Sequence, residues 1–155
     1  LARDPLLRAT VKPVLALSDG EELSRQTITN AIRTLVVRRL NDATLDKVVR
    51  NVSSSWTQSG HLQGRARKFR RRVHPTPLTT AYALMLGYLE GMRGGRLFET
   101  KWTLVLDSSP GELRNIAAEA KRLNGLDLKA AGDVIEIGFS TVLTPQEIKD
   151  SRVAH

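Results

Sequence analysis

Residues 44–74 carry the pattern that most constrains how this chain can fold. The run TLDKVVRNVSSSWTQS places Leu45, Val48, Val49, Val52 and Trp56 within about one 100° sector at helical spacing, enough to dock a helix over 44–59 on its neighbours. The opposite sector carries Lys47, Arg50, Asn51, Ser54 and Gln58. These side chains hydrogen-bond to phosphates and base edges, and none of them is acidic. A polar solvent face is the ordinary reading of such a helix taken alone. The residues after Gly60 change that reading. In GRARKFRRRVH, Arg65, Arg67, Lys68, Arg70, Arg71 and Arg72 put six cations into eight residues. Segments 61–63 and 68–73 are expected to form two short strands, with Gly64, Arg65, Ala66 and Arg67 at or near the turn. Alternation along 68–73 sends Phe69, Arg71 and Val73 to one face, where Phe69 and Val73 pack. Lys68, Arg70 and Arg72 then face outward together, and a strand with like charges on one side repels itself unless a polyanion neutralises it.

The charge is local. The chain of 155 residues has a formal net charge of +8 and a pI near 10.4, which favours DNA, RNA or an anionic membrane surface as partner. Residues 1–60 hold nine Lys/Arg against six acids, 61–75 hold six against none, and 76–155 hold nine against ten. An apolar fraction of 41% supports a real core in one ordinary domain or two small ones. The absence of cysteine excludes disulfides and thiolate metal sites. The longest apolar stretch, 81–89, is far short of the roughly 20 residues that span a bilayer. No secretory signal is visible, the chain does not open on Met, and a cytoplasmic location without a membrane partner is expected.

Along the chain, 5–17 reads as a short helix disturbed at Pro13, and Ser18-Asp19-Gly20 as a turn. Ser24 caps a helix running to about Leu40, with Ile28, Ile32, Leu35, Val36 and Leu40 at helical spacing and Arg33, Arg38 and Arg39 mainly off that stripe. Asn41-Asp42-Ala43 breaks it, so two helices joined by a short turn precede the basic ribbon. Thr76 and Pro77 start a helix over 78–92 with Ala81, Leu84, Met85, Tyr88, Leu89 and Met92 inward, and Gly87 and Gly91 allow close packing. An amphipathic helix is expected over 97–106. Ser109-Pro110-Gly111-Glu112 is a capping box for a helix with Leu113, Ile116, Ala117, Ala120 and Leu123 buried, stopped at Asn124-Gly125. Residues 126–128 and 135–139 read as a hairpin, and Thr144-Pro145-Gln146-Glu147 starts a last short helical turn.

The two halves share an order of two helices, a third two-faced helix, a glycine and a hairpin. The second hairpin carries Asp133 and Glu136 where the first has arginines, although Arg114, Asn115, Lys121 and Arg122 leave a secondary DNA contact open. The expected fold is mainly α with small β-hairpins: a DNA-binding unit over 1–75 and a less basic unit over 76–155.

Chemistry-bearing motifs are missing. His61, His74 and His155 have no paired acids at ligand spacing. There is no Walker A run, no G-x-S-x-G, and no carboxylate cluster near the basic segment to hold Mg²⁺. Gly91 to Gly95 follows a helix rather than a strand, so it reads as a terminator and not as a phosphate loop. No enzyme activity, cofactor or metal is expected.

Residues 18–74, and 96–143 more loosely, resemble winged helix-turn-helix DNA-binding proteins. The whole chain is then read as two such units in tandem. Size, basicity and tandem arrangement are also similar to the small BrxA-like components of BREX phage-defence systems. The Arg density of SSSWTQSGHLQGRARKFRRR departs from that family. The resemblance implies a non-catalytic double-stranded DNA binder and accessory factor, with possible partners among other subunits of a defence or regulatory complex. Lys47, Arg50, Asn51, Ser54, Gln58, Arg65, Arg67, Lys68, Arg70, Arg71 and Arg72 would hold the DNA. The alternatives are a subunit that docks on RNA or protein in a larger nucleoprotein complex, and a transcriptional regulator. The sparse aromatics, most of them on apolar stripes, weigh against single-stranded RNA.

Overall fold

Asn41 starts the helix around which the first half is built. Its side-chain oxygen accepts from the Thr44 amide at 2.8 Å, and the helix runs Asp42–Gln58. The computed structural model describes residues 4–36, 40–132 and 134–153. Among the described residues the chain is mainly helical with two small antiparallel sheets, and it divides into two compact units, Leu1–Val73 and His74–His155. Arg38, Arg39, Asp133 and His155, named above, lie outside the described residues.

In the first unit, helices α1 (Pro5–Ala9) and α2 (Val11–Leu15) precede strand β1 (Glu22–Leu23), helix α3 (Arg25–Val36) and helix α4 (Asp42–Gln58). Strands β2 (Leu62–Gln63) and β3 (Lys68–Arg70) follow. The expected single helix over 5–17 breaks at Thr10 rather than at Pro13. A proline ring collides with the carbonyl four residues earlier, here Ala9, so the interruption falls a turn ahead of the proline. Buried Thr10 then serves as a tie: Trp56 Nε1 donates to its Oγ1 at 2.8 Å, and that hydroxyl donates to the Leu7 carbonyl at 2.8 Å. Leu45, Val49, Val52 and Trp56 of α4 are buried as their spacing implies, with Ile28 and Ile32 of α3. Leu35, expected on the same stripe, is 46% exposed because α3 is covered mainly toward its middle.

Strand β1 was not expected from the sequence. It pairs antiparallel with β3, giving the order β1-β3-β2. The ladder continues past the strand, because the Gly20 amide donates to Arg70 O and the Arg70 amide to Glu21 O, each at 2.8 Å. Asp19 Oδ1 also accepts from the Arg72 amide at 2.8 Å.

The expected facing of the basic strand is reversed at Phe69 and Arg70, while Arg72 is exposed and Val73 half-buried as expected. Arg70 lies opposite Leu62, which is buried, and is itself only 1% exposed. Phe69 lies opposite Glu22 and Gln63, toward the outer face. Alternation sets a period of two but not its phase; pairing sets the phase, and a buried leucine opposite decides it here. The inward guanidinium is held by backbone at one nitrogen: Arg70 Nη1 donates to His61 O at 3.4 Å and to Arg71 O. The strand also ends at Arg70 rather than at Val73.

In the second unit, Thr76 caps helix α5 (Pro77–Leu89), which stops short of Met92 because Gly91 takes φ +86°. Gly87 is a close-packing site, with Thr100 and Leu97 against it: a methyl there would sit 2.9 Å from Thr100 Cγ2. The expected helix over 97–106 is instead a 3-10 segment, Gly94–Glu99, and helix α6 (Lys101–Leu104), divided where Thr100 caps the second piece. Helix α7 (Pro110–Arg122) carries the full Ser109–Glu112 capping box. Asn124, at φ +56°, takes the left-handed position after it. Strands β4 (Asp127–Ala131) and β5 (Val134–Gly138) form the second hairpin, and helix α8 (Pro145–Val153) is longer than one turn. Leu84, Leu97, Phe98, Leu113, Leu126 and Phe139 centre its core, with Met85 and Met92 packed against it. Leu123 is 58% exposed, contrary to its place on the expected stripe, because it lies beyond the last helical residue of α7.

Candidate nucleic-acid interface

The outer face of α4 is available as expected: Lys47, Arg50, Asn51, Ser54 and Gln58 are all exposed. Its acids are drawn aside by α3. Arg25 pairs with Asp46 at 2.7 Å and Arg33 with Asp42 at 3.3 Å, so the carboxylates lie along the edge toward α3.

The turn between β2 and β3 is closed by its own residues. Gly64 takes φ +103°, and a Cβ on it would stand 2.1 Å from the Arg67 carbonyl oxygen. Lys68 Nζ donates to Gly64 O at 2.6 Å. Gly64→Ala is therefore expected to cost about 1–3 kcal/mol through strain at this turn. Urea unfolding should show the loss while circular dichroism shows the helices retained.

The outer face of α4 and this turn together border a cleft of about 440 Å³, lined by Glu22, Arg25, Val49, Arg50, Ser53, Ser54, Arg65, Arg67 and Lys68 among others. Five of the lining residues are cations, and Glu22 is the one carboxylate. Arg67 Nε donates to Glu22 Oε1 at 2.8 Å and its Nη2 to Oε2, while its guanidinium lies 5.5 Å from the Phe69 ring centre. The hydrogen bond from Arg67 holds the Glu22 carboxyl below its ordinary range, and the same bond raises Arg67. A depressed carboxylate contributes its pairing above the unfolded value and loses it as pH falls through the folded one, so this clamp is intact at neutral pH.

The expected residues divide. Arg50, Ser54, Arg65, Arg67 and Lys68 meet around the cleft. Lys47, Asn51 and Gln58 are exposed on α4 without lining it, and Arg71 and Arg72 are exposed beyond the end of β3. Arg70 is removed from the surface altogether. Arg25, Glu22 and Ser53 belong to the cleft and were missed, because the first two come from elements distant in sequence and the third sits half-buried at the edge of the polar sector.

The histidines have separate fates. His61 is buried beside Trp56, ring centres 5.0 Å apart, with Nδ1 2.8 Å from Ser59 Oγ; His74 is exposed. Among the described residues there is no group of three or more His, Asp or Glu placed to hold a metal ion, and no helix long and apolar enough to cross a membrane.

In the second unit, Arg114, Asn115, Lys121 and Arg122 of α7 are exposed, with Arg114 over the Phe98 ring at 5.7 Å. Its hairpin pairs Lys129 with Glu136 at 3.8 Å instead of presenting a run of cations. No protein-family model, curated protein or solved structure matches the chain.

Proposed function

We propose that the first unit is a winged helix-turn-helix that binds double-stranded DNA without catalysis, with α4 in the major groove and the β2–β3 turn on the flanking backbone. The observation that carries this is the cleft, where five cations from α3, α4, the turn and the start of β3 face one carboxylate. The arrangement of elements supports it as well. A helical segment broken into α1 and α2, a strand, two helices and two strands, with the first strand pairing to the last, is the layout in which the helix before the hairpin is presented beside a β-turn wing. Arg50 and Ser54 are near base edges in this reading, with Asn51 and Gln58 beside them, while Arg65, Arg67 and Lys68 grip phosphates.

The second unit is read as a winged-helix-like module of the same plan. Its 3-10 segment takes the place of the first strand, since a methyl at Gly94 would lie 3.2 Å from the Ile135 carbonyl oxygen of β5. A role as an accessory factor in phage defence, similar to the BrxA-like components, rests on the tandem arrangement and the basicity alone.

Fluorescence anisotropy with a labelled duplex, in competition with single-stranded RNA of equal length, tests the central reading. Preferential retention of the duplex is expected. Preference for RNA would turn the same cleft into a site for single strands, and absence of duplex binding at low salt would remove the proposal. Asn51→Ala and Gln58→Ala should shift preference among duplex sequences more than they lower affinity for all of them.

A further inference from the structure

Glu22 has no place in a surface built only to hold phosphate. It is the one acid among the residues lining the cleft, and it occupies the two-donor edge of Arg67 through both carboxylate oxygens. A guanidinium fork meets carboxylate and phosphate with the same planar geometry. The two groups therefore compete for one edge of one side chain.

We infer that Glu22 is an internal stand-in for a DNA phosphate, holding Arg67 in a restrained state that bound duplex must displace. This rests on the DNA-binding reading above. The pair is open to exchange, because the side chains of Arg67 and Glu22 are 70% and 38% exposed. Its position is fixed from both sides: Glu22 is anchored by pairing with Phe69 in the sheet, and Arg67 lies over that same ring. Arg25 and Lys68 are likewise engaged in the free protein, with Asp46 and the Gly64 carbonyl. These contacts differ in kind. The carboxylate on Arg25 comes from the edge of α4 outside the cleft lining, and the partner of Lys68 is a neutral carbonyl. Glu22 alone places a negative charge where a phosphate would sit, so it both occupies a donor edge and repels the ligand.

Glu22→Gln keeps the size of the side chain and removes the charge. Anisotropy titrations of a labelled duplex at several salt concentrations should show affinity raised about three- to tenfold at low salt, with the salt slope steeper by about one. Glu22→Ala should show the same direction of change. In the double variant Glu22→Gln, Arg67→Gln, the gain over Arg67→Gln alone should shrink to less than about twofold, because the released edge is gone. A thermal melt of each variant identifies any that has lost its fold. Wild-type binding that is unchanged or weakened in both Glu22 variants would overturn the inference and make Glu22 a brace that positions the wing. Failure of wild type and variants alike to bind duplex at low salt would overturn the DNA-binding reading itself.

Discussion

Arg70→Ala is expected to destabilise the first unit by about 2–4 kcal/mol, through the cavity left by a large buried side chain and the loss of its hydrogen bonds to backbone carbonyls. The residue sits in the densest cationic stretch of the chain, where a surface role would be assumed. Yet its side chain is 1% exposed and its Nη1 donates to the carbonyls of His61 and Arg71. Those carbonyls belong to the two chain segments that flank the β2–β3 turn, so the guanidinium ties the base of the hairpin. For a unit of this size, each kcal/mol moves the melting temperature by about 4–8 °C. A fall of roughly 10–20 °C should be visible in a thermal melt. Arg70→Lys keeps a charge but loses the fork, and should recover only part of the loss. A variant that melts with the wild type while losing duplex affinity would return Arg70 to the surface and refute the buried assignment.

The converse is expected of Arg50 and Arg65. Both line the cleft, both are exposed, and neither has an ion-pair partner among the described residues. Replacing the two together by Ala should leave the melt nearly unchanged, since exposed cations without partners contribute little to stability. Duplex affinity should fall on the order of 10- to 100-fold at low salt, and the salt slope should become shallower by about one as the Arg65 phosphate contact is lost. The Arg65 share of the loss should be similar for unrelated sequences, because phosphates carry no sequence information, while the Arg50 share should vary with the base pairs it meets. Arg70→Ala and the Arg50, Arg65 double variant separate a structural arginine from binding arginines twenty and five residues before it, provided stability and binding are measured together.

Helical features were legible where a helical period and a cap coincided. Leu45, Val49, Val52 and Trp56 repeat at the spacing of one helix face, although Asn41, read as a break, is the cap and starts the helix at Asp42 rather than at Thr44. Ser109 and Glu112 announced α7 by its capping box. Strand β1 was not legible, because two residues are too few for alternation and its existence depends on β3, which lies far along the chain. Arg70 shows a second limit. Its neighbours predict alternation, but the partner Leu62 selects which alternate faces in, and backbone carbonyls supply hydrogen bonds that no side-chain pattern records. The candidate site was legible on α4 and the turn for the local reason that polar and basic residues cluster there. Glu22 and Arg25 join it only through the fold, Glu22 by its register opposite Phe69 and Arg25 from the start of α3.

The central claim is that the outer face of α4 and the β2–β3 turn act as one duplex-binding surface. Backbone amide chemical shifts of the labelled protein, followed as a short duplex is added at low salt, test it most directly. The largest changes should fall on residues 47–58 and 64–68, with little change along α7. Changes centred on α7 and the second hairpin, or none anywhere, would contradict it.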